Sequence, residues 1–265
     1  MAVRVISSLI GIPLLIFLVA YGGLPLYLAV LVISLIGMYE LYKAVSGRIK
    51  LVHFAGFLLE CLYINSLLTE SIPLSDMRII ACLFIMLILF MMVVLNKTTN
   101  VIDGAITVFG FFYVGLMLSL ICYIRDFSLM LAWLPFIFAF GSDTGAYFIG
   151  SKFGKHKLAP ELSPKKSVEG AIGGVVFSMI ISGIYGGVCS RLFSLTPEFI
   201  IYFAIMGAIG SVLAQIGDLA ASSIKRYVGI KDFGKFMPGH GGVLDRFDSV
   251  LFTLPLVYVY MLILA

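Results

Sequence analysis

Apolar residues fill this chain in runs of about twenty, separated by short polar stretches of very unequal charge. A helix that crosses a bilayer needs roughly 20 mostly apolar residues. Nine segments fit that pattern, at about 4–22, 25–43, 53–71, 78–96, 104–124, 128–150, 169–190, 199–223 and 247–265. The third is the most polar, with Glu60, Asn65 and Glu70, and the last only just spans. The first follows Arg4; it is long for the apolar core of a secretory signal and no clear cleavage site follows, so it reads as an uncleaved span. There is no convincing internal repeat, no low-complexity tract and no polar stretch long enough for a soluble domain. The pattern predicts an all-α polytopic integral membrane protein of about nine transmembrane helices. Five spans form an N-terminal part (residues 1–127) and four a C-terminal part with two charged loops (128–265), where catalysis is expected.

Composition agrees. Hydrophobic residues make up 61% and charged residues 12%, with mean hydropathy +1.11, against about 25% charged residues in a soluble domain. Cys61, Cys82, Cys122 and Cys189 lie in or beside apolar runs without metal-ligand or disulfide spacing and read as small buried hydrophobes. His53, His156 and His240 are too scattered to suggest a metal site by themselves.

Charge gives the orientation. With nine spans, Arg78, Arg125 and Arg191 fall on one side and the other fifteen of the 18 basic residues on the opposite side. Basic loops stay cytoplasmic, which places the N-terminus and both large charged loops in the cytoplasm and the C-terminus across the membrane. Topology and attraction to anionic lipid account for most of Lys43, Arg48 and Lys50. Glu40, beside Lys43, reads as half of an i,i+3 pair.

The first charged loop is SDTGAYFIGSKFGKHKLAPELSPKKSVEG, residues 142–170. Asp143 falls inside the end of the sixth span, where an ionised carboxylate costs roughly 2.5–3.5 kcal/mol on insertion scales and faces a cavity or a partner. Tyr147, four residues on, shares its helix face. Lys165 and Lys166, between Ser163 and Ser167 just before a helix start, suit phosphate binding; the plainer account is a positively charged cytoplasmic loop.

The second loop, SSIKRYVGIKDFGKFMPGHGGVLDRFD, is the densest block of charge in the chain. Asp218, Ser222 and Lys225 share one face of the eighth span, followed by Arg226 and Lys231. Glycines then interrupt the chain at Gly229 and around His240, Gly241 and Gly242. Asp245, Arg246 and Asp248 open the last span, where the helix dipole favours negative charge. Asp245 and Asp248, three apart, can face the same way, and with Asp218 they can converge at the cytoplasmic surface. An oxygen-only ligand set selects a hard cation such as Mg²⁺. Basic side chains and glycine N–H groups around it suit phosphates, and together these are the parts of phosphoryl or nucleotidyl transfer. An ion-pair cap explains Asp245, Arg246 and Asp248 as a set but not Asp218 or the glycine turn. His240 reads equally as a turn residue or a site residue.

The run Ser222-x-Ile-Lys225-Arg226 through Lys231-Asp232-x-Gly234, Pro238-x-His240-Gly241-Gly242 and Asp245-Arg246-x-Asp248 resembles the signature of the phosphatidate cytidylyltransferases (CDP-diacylglycerol synthases). Met237 departs from it only as a packing change. The segment from Asp143-Thr-Gly-Ala-Tyr to Ser163-Pro-Lys-Lys-Ser-Val-Glu-Gly170 resembles the same family. The resemblance implies that CTP and phosphatidate give CDP-diacylglycerol and pyrophosphate in phospholipid biosynthesis at the cell membrane, with Mg²⁺ required. It implies Asp218, Asp245 and Asp248 as the metal group. Catalytic or phosphate roles fall to Lys225, Arg226, Lys231 and Arg246, and binding roles to Asp143, Lys165, Lys166, Ser222, His240, Gly241 and Gly242. It leaves room for K⁺ and for a homodimer, which the residues alone do not show; no nucleic-acid partner is expected. Two rivals fit parts of the pattern. A CTP-dependent polyprenol kinase would pass the γ-phosphate to an alcohol. An ion-coupled transporter would use Asp143 and Asp218, although such proteins often carry the internal repeat that is missing here.

Overall fold

A computed structural model describes residues 2–69, 77–194, 196–237 and 241–264. Glu70 and His240, both singled out above, lie outside them, as does Pro238 of the signature. Among the described residues the helices form nine rods at the positions the apolar runs predict: α1 (Ala2–Tyr21), α2 (Gly23–Ser46), α3 (Leu51–Thr69), α4 (Met77–Val94), a compound rod, α7 (Leu129–Phe153), α8 (Val168–Leu192), α9 (Glu198–Tyr227) and α10 (Leu244–Leu264). The compound rod joins α5 (Val101–Gly110), a π-helical turn (Phe111–Leu116) and α6 (Met117–Phe127). Seven rods are long and apolar enough to cross a membrane, while the apolar helices Gly11–Tyr21 and Ile79–Val94 are shorter.

Local chemistry sets several boundaries. Gly47, at φ 71°, ends α2 in the left-handed region, where a side chain would be strained. Asn100 and Asp103 form a reciprocal capping box that starts α5. The Ser167 hydroxyl accepts from Gly170 N–H and starts α8. The charged loop between α7 and α8 carries secondary structure that the all-α reading did not include. It forms an antiparallel hairpin of β1 (Lys157–Ala159) and β2 (Ser163–Ser167).

The chain packs as two compact units. One contains Met1–Cys122 with Asp232–Arg246, the other Tyr123–Lys231 with Phe247–Ala265. In the first, Tyr42 hydrogen-bonds Thr107 O at 3.0 Å and stacks on His53 at 4.7 Å between centroids. Lys50, read from sequence as a topology signal, has a specific partner: its Nζ lies 2.6 Å from buried Asp103 Oδ2. Glu60 is fully buried in α3, with no hydrogen-bond partner for either carboxylate oxygen among the described residues. Gly115, in the π turn, leaves the space that this side chain fills.

In the second unit, α7, α8 and α9 approach closely through small residues. A Cβ on Gly145 would come within 2.7 Å of Gly173 O and 3.1 Å of Gly174 Cα, so only glycine lets these backbones meet. Ser178 donates to Gly207 O at 2.9 Å. Helix α9, with 30 residues, is about 45 Å long at 1.5 Å per residue. This exceeds the roughly 30 Å hydrocarbon core, so the polar end of α9 can project beyond it.

Candidate active site

The hairpin delivers the lysines. Pro160, Glu161 and Leu162 form its turn, and Pro164 is tolerated because a two-stranded sheet consists only of edges. Glu169, in the first turn of α8, fastens the approach to β1. Its carboxylate accepts from Lys155 N–H at 3.0 Å and pairs with His156 Nδ1 at 2.6 Å. With both ends held, β2 places Lys165 and Lys166 over a cavity of about 330 Å³ lined also by Asp143 and Tyr147 of α7, Ser167, and Gln215 of α9. Lys166 pairs with Asp218. The polar floor is ordered by Gln215, whose Nε2 donates to Ala171 O at 3.1 Å and lies 3.2 Å from Ser211 Oγ; Ser211 in turn donates to Ser142 Oγ at 2.8 Å.

Above that floor is a concentration of like charge. Asp248, 7% exposed, interacts electrostatically with Asp218 and Asp143, and with Lys225 as counter-charge. Its Oδ1 accepts from Ser249 N–H at 2.7 Å. Helices α9 and α10 touch at this level: a Cβ on Gly217 would sit 2.6 Å from Asp248 O. Ser222 and Lys225 are buried on the face of α9 that the spacing predicts. The second unit thus gathers Asp143, Lys165, Lys166, Asp218, Lys225 and Asp248.

Other sequence-predicted residues are placed differently. Arg226 turns to backbone carbonyls, donating to Leu162 O at 3.3 Å and Ile230 O at 3.2 Å, so it tethers the hairpin turn. Lys231 and Arg246 are exposed. In the first unit, Asp245 Oδ2 accepts from Phe233 N–H and Gly242 N–H, each at 2.9 Å. Gly241 takes φ +86°, and a Cβ there would lie 3.1 Å from the same oxygen. Asp245 is therefore spent, at least at Oδ2, on holding its own loop. Glu40 does not rely on Lys43: its Oε1 accepts from Val243 N–H at 3.1 Å and its Oε2 from Leu244 N–H at 2.9 Å. The sequence signal was a carboxylate at the polar end of an apolar span, but its partners lie some 200 residues away.

Of the three carboxylates expected as a metal group, Asp218 and Asp248 belong to the second unit and Asp245 to the first. Among the described residues, no three His, Cys, Asp or Glu side chains gather as a metal-binding set. The donor chemistry around Asp218 and Asp248 still suits a hard cation. Asp248 also interacts electrostatically with Asp143, and a cation held by so few carboxylates would take its other ligands from water and phosphate.

Carboxylates face lysines over a polar-floored cavity in a helix bundle, an arrangement whose chemistry suits anionic substrates that need charge neutralised. Sequence comparison supplies the family. The cytidylyltransferase family matches residues 2–264, and this chain belongs to it. The chain is 33% identical over 269 residues to the phosphatidate cytidylyltransferase of Bacillus subtilis (strain 168), covering 96% of this chain and 95% of the relative. It is 32% identical over 272 residues to that of Staphylococcus haemolyticus (strain JCSC1435), covering 99% of each. To that of Staphylococcus aureus (strain COL) it is 30% identical over 275 residues, again covering 99% of each.

Proposed function

We infer that this chain is a phosphatidate cytidylyltransferase, a nucleotidyltransferase that makes CDP-diacylglycerol for phospholipid biosynthesis. Full-length similarity to relatives of that name carries the reading. The nucleophile is a phosphate oxygen of phosphatidate. With a second pKa of about 6 it is largely dianionic at neutral pH, so no strong base is needed. It forms a bond to the α-phosphorus of CTP, the bond from that phosphorus to the bridging oxygen breaks, and pyrophosphate leaves. The obstacle is repulsion between two polyanions. Lys165 and Lys166 bind phosphate at the cavity mouth, and Lys166 exchanges Asp218 for substrate oxygen. Lys225 stays beside Asp248 and holds net charge down. Asp218 and Asp248, with Asp143 interacting with Asp248, would hold Mg²⁺, which would neutralise phosphate charge and favour departure of pyrophosphate. Residues 128–265 carry this chemistry with both charged loops in the cytoplasm, a placement supported by the basic residues collected on that side.

Purified protein given phosphatidate and CTP labelled at the α- or the γ-phosphate tests this reading. The α label should enter lipid, the γ label should leave as pyrophosphate, and removing Mg²⁺ should stop both. Lipid carrying the γ label would make the chain a kinase and overturn the reading.

A further inference from the structure

We propose that Glu40 is a positioning residue for this reaction: from α2 it fixes the glycine turn and first residues of α10, on which Asp245, Arg246 and Asp248 stand. The inference rests on the reading of α10 as part of the site. The first N–H groups of a helix have no acceptor within it. At α10 the N–H groups of Val243 and Leu244 are taken by the two oxygens of Glu40, at 3.1 and 2.9 Å. Glu40 is only 4% exposed. Charge-assisted bonds of this kind are stronger than neutral ones, and a carboxylate at a helix N-terminus is further favoured by the dipole.

The loop is built around that carboxylate. Gly234 and Gly242 both lack the room for a side chain, and on Gly242 a Cβ would come within 2.5 Å of a Glu40 oxygen. Asp245 holds the same loop from the other side through Phe233 and Gly242. The described residues of 232–246 accordingly fall in one unit with the N-terminal helices. A short segment clasped by two carboxylates has little freedom to shift, and Glu40 supplies the clasp from outside the signature.

The test is steady-state kinetics on Glu40→Gln, Glu40→Ala and a cycle pairing Glu40→Asp with Gly242→Ala. Gln keeps one acceptor and turns its NH₂ against an N–H. The expected result is kcat lower by about 10- to 100-fold, the scale of a misplaced reacting group. KM for CTP should change much less, and the unfolding temperature should stay near wild type. Shortening Glu40 makes room for a methyl group on Gly242, so the double variant should lose less activity than the product of the two single losses. Wild-type kcat in both Gln and Ala variants overturns the proposal, as does loss that tracks the amount of folded protein, or strict additivity in the cycle. If the Ala variant is not recovered folded, the cycle alone decides. Asp248→Asn, measured in parallel, separates the two readings. Full activity there removes the site assignment but leaves the Glu40 contact standing. Inactivity there with normal Glu40 variants removes only the present proposal.

Discussion

Lys166 already has a counter-charge in Asp218 before any substrate arrives, so binding a phosphate means exchanging one anion for another. On the proposed reading Asp218 and Asp248 carry the negative side of the site, while Asp245 Oδ2 accepts from Phe233 and Gly242 N–H. Asp218→Asn and Asp248→Asn should each leave insertion and folding intact and lower turnover at least about 100-fold, on the scale of lost electrostatic stabilisation. The CTP-and-phosphatidate assay on purified variants checks this, and near-normal turnover in both would remove the metal assignment. Much of this scale was legible in sequence. Helical spacing alone puts Asp218, Ser222 and Lys225 on one face; α9 is helical through all three, with Ser222 and Lys225 buried. The backbone partners of Asp245, Arg226 and Glu40 were not legible, because they come close only once loops have folded. Charge marked these residues as notable without saying that their partners would be amides and carbonyls.

Among the elements, the apolar runs predict the helices to within a few residues because bilayer-length periodicity is a strong signal. The hairpin escaped because strands of three and five residues show no usable alternation, and Pro164 argues against a strand. It is held by Glu169, Ser167 and Arg226, none of which reveals a strand in sequence. The same blindness hid the Lys50–Asp103 pair that joins the α2–α3 connection to α5. Asp103 is 2% exposed and Lys50 16%, so Lys50→Met leaves a buried carboxylate uncompensated. Breaking a buried pair from one side costs about 3–5 kcal/mol. The unfolding temperature in detergent should therefore fall clearly, and adding Asp103→Asn, which removes the charge but keeps an acceptor for Asn100 N–H, should restore part of it. An unchanged midpoint in Lys50→Met would show that the pair contributes little.

At the scale of the molecule, charge distribution predicts which ends of the helices share a side, and that prediction can be read chemically. In a background without Cys61, Cys82, Cys122 and Cys189, a cysteine at Lys231 should react with an impermeant thiol reagent only from the cytoplasmic face. One at Arg191 should react only from the opposite face. Labelling of both from one side would break the nine-span arrangement. The division into units is the part sequence could not supply, since residues 232–246 pack with helices nearly 200 positions earlier. The cavity beside β2 has a further consequence. Lysines and Asp143 frame part of it, while Tyr147 on its wall is 72% exposed and neighbouring Phe148 57% exposed. A double-chained substrate would reach such a wall by diffusing in two dimensions. What sets the rate is then its mole fraction in the surrounding amphiphile. Adding inert lipid or detergent at constant total phosphatidate slows turnover, and Michaelis constants for the lipid belong in mole percent.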